Sequence, residues 1–111
     1  MATTSLFNGS LLPTLGVNNI IGTVSASTTG VYQLQIDVGR LASGDIMELK
    51  LNMNVGAGSM SCAYSSAPSW PMATQIELSP PIALGGNSTM TATIRQSVGS
   101  AKWTFFDMIS I

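Results

Sequence analysis

Hydrophobic and polar residues alternate with a period of two along much of this chain. The pattern is clearest from Ile46 to Val55, and it recurs from Tyr32 to Val38. A period of two places successive side chains on opposite faces of a β-strand, so that one face is buried and the other meets water. We expect the inward residues of these two segments to form a central, hairpin-like pair. These inward residues are Tyr32, Leu34, Ile36, Met47, Leu49, Leu51 and Met53.

Shorter segments with the same alternation fill the rest of the chain. Strands are predicted over Val17–Ala26 and over Thr89–Val98, where the outward positions are rich in threonine. A glycine-rich bend at residues 56–58 predicts a hairpin between the Ile46–Val55 strand and the residues that follow it. The final segment, Lys102–Ile111, is apolar enough to predict a strand covered on both faces. Clusters of Gly, Pro and Ser separate these segments, and no stretch has a helical period.

The chain of 111 residues has room for one domain of ordinary size. We predict an all-β fold, a single-domain antiparallel β-sandwich of the jelly-roll or Greek-key type with seven or eight short strands, over residues 15–111. Residues 1–14 are predicted to form an N-terminal arm or an edge strand. Four apolar residues of this segment are candidate partner contacts, and packing on the domain's own core is the alternative for each. They are Leu6, Phe7, Leu11 and Leu12.

Charged residues are scarce in this sequence. They make up 8% of the chain against 45% hydrophobic residues, and the net charge is −1. The four basic residues are scattered and form no stripe that could neutralise several phosphates, which disfavours nucleic-acid binding. The sequence also shows no signal peptide and no membrane span, so we expect synthesis in a reducing cytoplasm. The surface is expected to be neutral and rich in hydroxyl groups.

Side chains suited to catalysis are few. Histidine is absent, which excludes Ser/His/Asp and Cys/His arrangements and imidazole metal ligands. No spacing among the five carboxylates selects a catalytic pair, and we expect all five to be solvated charges on strand faces and in turns. The single cysteine, Cys62, is expected to fill space in the core. We therefore predict no catalytic, cofactor-binding or metal-binding residues and no enzymatic activity. The carboxylates are Asp37, Asp45, Glu48, Glu77 and Asp107.

Three segments of the sequence resemble a known group of proteins. The segments are YQLQIDVGRLASGDIMELKL (Tyr32–Leu51), IELSPPI (Ile76–Ile82) and TATIRQSVGSAKWTFF (Thr91–Phe106), and together they cover about two thirds of the chain. They are similar to small β-sandwich decoration, cement or staple proteins of tailed bacteriophages. The quoted residues belong to strands and turns, so they are structural motifs rather than catalytic ones.

This resemblance implies a structural virion protein. The implied role is a capsid decoration protein that is made in the host cytoplasm, binds the major capsid protein on the outer surface of the head, and stabilises the assembled shell. The low net charge, which does little to keep copies apart, separately favours a homo-oligomer, a dimer or a trimer. Trp70 is a candidate loop anchor for a partner, since interface anchors are often aromatic; packing on its own core or simple exposure is the alternative. The alternative is a carbohydrate- or receptor-binding module of a tail or fibre, with Trp70 or Tyr64 stacking on a sugar ring.

Overall fold

The computed structural model describes residues 4–24, 29–56, 58–68 and 76–111. Within these ranges the chain forms nine β-strands. The strands are β1 (Thr4–Leu11), β2 (Asn19–Val24), β3 (Gly30–Asp37), β4 (Ile46–Met53), β5 (Ser61–Ser66), β6 (Ile76–Leu78), β7 (Ile82–Leu84), β8 (Met90–Val98) and β9 (Thr104–Ser110). Across the same ranges, no helix is long and apolar enough to cross a membrane.

The nine strands form two antiparallel sheets that pack face to face. The first sheet has the order β1-β9-β3, and the short strands β6 and β7 lie one after the other along the remaining edge of β3. The second sheet has the order β2-β8-β4-β5. The predicted all-β sandwich is therefore confirmed, with nine strands in place of seven or eight. The additional strand is β7, which the sequence pattern assigns to a turn and which pairs with β3 through only three residues.

The prediction that the segments around β3 and β4 form a hairpin-like pair is wrong. β3 lies in the first sheet and β4 in the second, so their inward side chains meet across the sandwich instead of side by side. The connection between them, residues 38–45, is long enough to cross the roughly 10 Å between packed sheets, and Leu41 is buried within it. Alternation identifies which face of a strand is buried, but it does not identify the neighbouring strand.

The inward residues themselves are assigned correctly. Tyr32, Leu34 and Ile36 of β3 face Met47, Leu49 and Leu51 of β4, and all six are buried. Residues of β8 and β9 complete the middle of the core. They are Met90, Ala92 and Ile94 of β8 and Met108 of β9. Flexible methionine side chains fill irregular gaps well, and three of them are almost completely buried here.

The sequence Ser79-Pro80-Pro81 explains how two short strands share one edge of β3. Proline has no N–H to donate, so a continuous strand cannot pair through these positions. Ser79 replaces the missing contacts: its N–H donates to the Leu34 carbonyl at 2.9 Å, and its buried hydroxyl accepts from the Leu34 N–H at 2.9 Å. The Gln33 side chain also donates to the Ser79 carbonyl at 2.8 Å. The backbone of β3 is thereby satisfied between β6 and β7.

At the opposite side of the sandwich, β1 and β2 are the edge strands of the two sheets. The Phe7 ring packs edge-on against Phe106, with 6.2 Å between ring centroids. It also covers Gly22 of β2 so closely that a Cβ at position 22 would overlap the ring. Phe7 thus closes the gap between the sheets at this side, and it can do so because position 22 is glycine.

Candidate interaction surface

The outer face of the first sheet carries exposed apolar side chains. In the register of β9, β3 and β6, Phe105 and Ile76 lie on either side of Asp37, and Leu78 lies beside Gln35. Ile76, Leu78 and Phe105 are all about half exposed. We call these three residues the first-sheet patch. The prediction that the C-terminal strand is covered on both faces is wrong, because its outer face remains open at Phe105.

A shallow groove of about 200 Å³ runs through the first-sheet patch, and Asp37, Ile76 and Phe105 are among its lining residues. The Arg40 guanidinium carbon lies 4.4 Å from the centre of the Phe105 ring, which is a cation–π arrangement. Arg40 also approaches Asp37 at 3.8 Å between Nη1 and Oδ2. Because both charged side chains are about half exposed, this ion pair stabilises the fold little.

The outer face of the second sheet has a different chemistry. Thr91 and Thr93 of β8, Thr23 of β2 and Ser65 of β5 line it, and the Thr23 and Thr91 hydroxyls lie 3.5 Å apart. A surface ion pair joins Lys50 and Glu48 at 3.0 Å. The middle of the second face therefore carries hydroxyl groups and an ion pair. Its exposed aliphatic residues lie at its margins, on the edge strand β2 and at one end of β4 and β8; they are Ile20, Ile46 and Val98.

Cys62 also lies on this outer face, which contradicts its predicted place in the core. Tyr64 pairs with Leu51 and points inward, but the register shifts between Leu51 and Asn52, so Cys62 pairs with Asn52 and points outward. An extra residue in one strand reverses the facing of every residue beyond it. The Cys62 thiol is exposed as a result.

Asp45 contradicts the prediction that every carboxylate is solvated, because it is only 3% exposed. Its Oδ2 accepts hydrogen bonds from Lys102 Nζ and from the Ala42 N–H, both at 2.8 Å, and its Oδ1 accepts from the Ser100 N–H at 3.1 Å. The Lys102 hydrogen bond, followed by the Ala42 N–H, holds the pKa of Asp45 below its ordinary value against the opposing effect of burial. Gly99 adopts a φ of +95°, and a Cβ there would overlap the Asp45 carboxylate.

Gln96 extends this buried polar cluster. It takes the inward position that follows Met90, Ala92 and Ile94 along β8 and is completely buried. Its side-chain amide donates to the carbonyls of Val98 and Ser100, and its Oε1 accepts from the Lys102 N–H at 3.1 Å. Together with Asp45, it fixes the loop between β8 and β9. Each polar group has a partner within the protein, so the cluster has a structural role and presents no free acid or base.

Glu77 closes the sandwich at the side opposite Phe7. It pairs with Ile36 and therefore points inward from β6. Its Oε1 accepts hydrogen bonds from the Ser66 hydroxyl at 2.6 Å and from the Tyr64 hydroxyl at 3.4 Å, both from β5 of the other sheet. Tyr64 is half-buried and held in this contact, so its ring does not project as a platform for a sugar.

The five predicted partner contacts fall into three groups. Leu6 and Leu12 are exposed, while Phe7 and Leu11 pack against the core of their own domain. Trp70 lies outside the described residues. Sequence reasoning placed no contact on the first-sheet patch. The sequence did contain a signal: apolar residues in the C-terminal segment occupy both even and odd positions. A strand with one buried face requires apolar residues only at alternate positions.

Within residues 4–24, 29–56, 58–68 and 76–111, no group of three or more Cys, Asp or Glu side chains is gathered as a metal ion would need. Comparison with protein-family models, with curated proteins and with solved structures finds no match to this chain. The candidate surface is therefore defined by the geometry and chemistry of this chain's own residues.

Proposed function

We propose that the protein is a structural virion component, a capsid decoration protein that binds the outside of the assembled head of a tailed bacteriophage. The sheet orders β1-β9-β3-β6 and β2-β8-β4-β5 support this role, because they are the strand orders of a jelly roll, an architecture found in viral capsid and lectin domains. The partner is the major capsid protein.

The observation that carries the proposal is the cluster of apolar side chains, with its groove, on the outer face of the first sheet. Apolar side chains that cluster on one face of a small domain mark an interaction surface, whereas hydroxyl groups suit a face exposed to water. We assign the first-sheet patch, with its groove, to the capsid and the threonine-rich second-sheet face to solvent. The low net charge of −1 adds little repulsion between copies placed close together on a shell.

The size of the patch determines how it can work. Completing the burial of three half-exposed side chains stabilises a contact by about 1 kcal/mol each, or roughly 3 kcal/mol in all. Association itself costs on the order of 4 kcal/mol or more. One patch on one capsid subunit is therefore too weak to hold the protein. Binding becomes stable where a copy or an oligomer contacts several subunits at once, and such a ligand stabilises the assembled shell over its separated subunits.

Mass spectrometry of purified particles of the phage that encodes the protein tests its presence in the virion. Cosedimentation of the purified protein with heads stripped of it, compared with unassembled capsid subunits, tests the mechanism. We expect binding to heads and little binding to free subunits. Phe105→Ser should weaken head binding about tenfold or more. Val55→Ser, at the most exposed large apolar residue of the described chain and in the turn after β4, should leave it unchanged.

Absence of the protein from purified particles, or its presence only in tail fractions, would overturn this function. Binding of the isolated protein to a glycan array without binding to heads would favour the carbohydrate-binding alternative instead. Equal effects of Phe105→Ser and Val55→Ser on head binding would remove the first-sheet patch from the interface.

A further inference from the structure

β1 presents an open edge of the first sheet. It runs for eight residues, Thr4–Leu11, and within the described part of the chain it pairs with β9 alone. Among the described residues, no strand pairs with the side of β1 that faces away from β9, so its backbone N–H and C=O groups can pair with another strand. Natural edge strands usually block such pairing with charged residues, proline or short length. β1 has none of these features.

Apolar side chains flank this edge, and neither edge strand carries a charge. The carboxylate beside it is Asp107 of β9, which accepts a hydrogen bond from the Ser5 hydroxyl at 2.6 Å. Leu6 is exposed on β1, and Ile20 on the neighbouring edge strand β2 is 68% exposed. Leu12, Leu15 and Val17, on the connection between the two strands, are exposed as well. The first charged residue of the entire chain is Asp37. A side whose edge strands are uncharged and which exposes several aliphatic residues has the character of an interface.

This connection is held in place, so its apolar side chains are presented in a defined geometry. The Gly16 N–H donates to the Gln96 carbonyl at 2.9 Å, and the Asn19 side chain donates to the Val17 carbonyl at 2.8 Å. Pro13 is buried. The aliphatic residues are therefore exposed because the backbone is fixed around them.

The other sheet edges are less suited to pairing. The edge formed by β6 and β7 is interrupted at Ser79-Pro80-Pro81. β2 and β5 have six residues each, and a register shift interrupts the pairing of each with its inner neighbour. β1 also has a register shift, between Ser5 and Phe7, but it continues regularly from Phe7 to Leu11. It is the longest edge available in the described chain.

We infer that this edge binds a second copy of the chain, with the two β1 strands antiparallel across a twofold axis, so that the first sheets of two copies join into one continuous sheet. A strand can pair antiparallel with its own copy whatever its sequence, because the twofold axis matches each donor with an acceptor. Two copies also place no like charges opposite each other, since residues 4–24 carry no charge.

The available area supports a dimer. Eight strand residues extend about 26 Å, and the shortest dimension of the molecule is 20 Å. The contacting side of each copy therefore measures on the order of 500 Å², and the two sides together reach the roughly 1,000 Å² expected of a specific interface. Leu6 and Ile20 supply the aliphatic contacts along this side.

The inference is independent of the proposed attachment to a head and is tested on the purified full chain alone. Sedimentation equilibrium from about 1 μM to about 1 mM should show a monomer–dimer equilibrium. Leu6→Lys and Ile20→Lys should each raise the dissociation constant about tenfold or more, because a charged residue at an edge opposes pairing. Ile76→Lys, a matched exposed isoleucine on the first-sheet patch, should leave the dissociation constant unchanged.

Hydrogen exchange provides a second readout that does not depend on any variant folding correctly. Backbone amides of β1 that point away from β9 should exchange more slowly as the protein concentration rises, whereas those of β5 should not change. A monomer throughout the concentration range, or a trimer, would overturn the inference. So would a dimer that Ile76→Lys disrupts and Leu6→Lys does not, or one without concentration-dependent protection of β1.

Discussion

The Asp45 carboxylate joins two loops that are distant in sequence, and the substitution Asp45→Asn measures the strength of this connection. Asparagine has nearly the same shape but only one acceptor oxygen, and its amide N–H₂ must face either the Ser100 N–H or the donors Lys102 and Ala42. At least one buried donor then loses its partner. Removing one member of a buried ion pair costs about 3–5 kcal/mol. We expect about 3 kcal/mol, because Lys102 is 29% exposed and regains some hydration.

A loss of this size is large for a domain of this length. The free energy of unfolding of a small domain is about 5–15 kcal/mol. A loss of about 3 kcal/mol corresponds to a fall in Tm of roughly 10–20 °C. Urea unfolding followed by tryptophan fluorescence gives the free energy of unfolding, and differential scanning calorimetry gives Tm. Lys102→Met should cost less than Asp45→Asn, because Asp45 retains two backbone donors in that variant. Asp37→Asn, which alters an exposed ion pair, should cost less than about 1 kcal/mol.

The dependence on pH provides a further test of the same contact. The pKa of Asp45 lies below its ordinary value in the folded protein, chiefly because of the Lys102 hydrogen bond. As the pH falls below the unfolded pKa of about 3.9, the unfolded chain binds the proton first, so stability decreases until the folded pKa is passed. The difference in stability between the parent and Asp45→Asn should therefore shrink over this range. Two results would refute this interpretation of the contact. One is a difference in unfolding free energy below about 1 kcal/mol between the parent and Asp45→Asn at pH 7. The other is a larger loss of stability for Lys102→Met than for Asp45→Asn.

Three further predictions concern the two sides of the sandwich and its single thiol. Gly22→Ala should destabilise the protein by about 1–3 kcal/mol in urea unfolding, because the new methyl group overlaps the Phe7 ring. Adding Phe7→Leu should recover part of this loss, and additive losses of stability in the double variant would contradict the contact. Glu77→Gln should cost about 1 kcal/mol because it weakens the hydrogen bond from Ser66, and the double variant with Ser66→Ala should cost less than the sum of the two. Cys62 should react stoichiometrically with a thiol reagent in the native protein, and protection until unfolding would place it inside.

The sequence allowed the buried faces of the long strands to be predicted, but not the arrangement of the strands. Leu34 and Leu49 were assigned to the interior because alternation depends only on local residues. Their sheets depend on which distant strands pair, and β3 finds its partner β9 about 70 residues later in the chain. Alternation also failed at Cys62, because a register shift in the hairpin with β4 changes the facing without any local signal.

The buried polar cluster could not be predicted for a related reason. An aspartate after Gly44 in a turn is usually solvated, and Asp45 is buried only because the loop at residues 99–102 folds over it, more than 50 positions away. Gln96 occupies an inward position that the alternation reserves for an apolar residue, and its amide is satisfied by backbone groups of that same loop. The first-sheet patch was missed because abundant apolar residues in the last strand were interpreted as a second buried face.

The geometry of the proposed dimer relates the β1 edge to the first-sheet patch. A twofold axis between antiparallel β1 strands runs perpendicular to the joined sheet, so the outer faces of both first sheets point in the same direction. A dimer would therefore present two copies of the Ile76, Leu78 and Phe105 patch to one surface. Because a single patch supplies less than the cost of association, the second patch would convert a weak contact into a stable one through its high effective concentration. Leu6→Lys should then weaken binding to assembled heads although Leu6 lies outside the patch. Phe105→Ser should weaken head binding without changing the dimer.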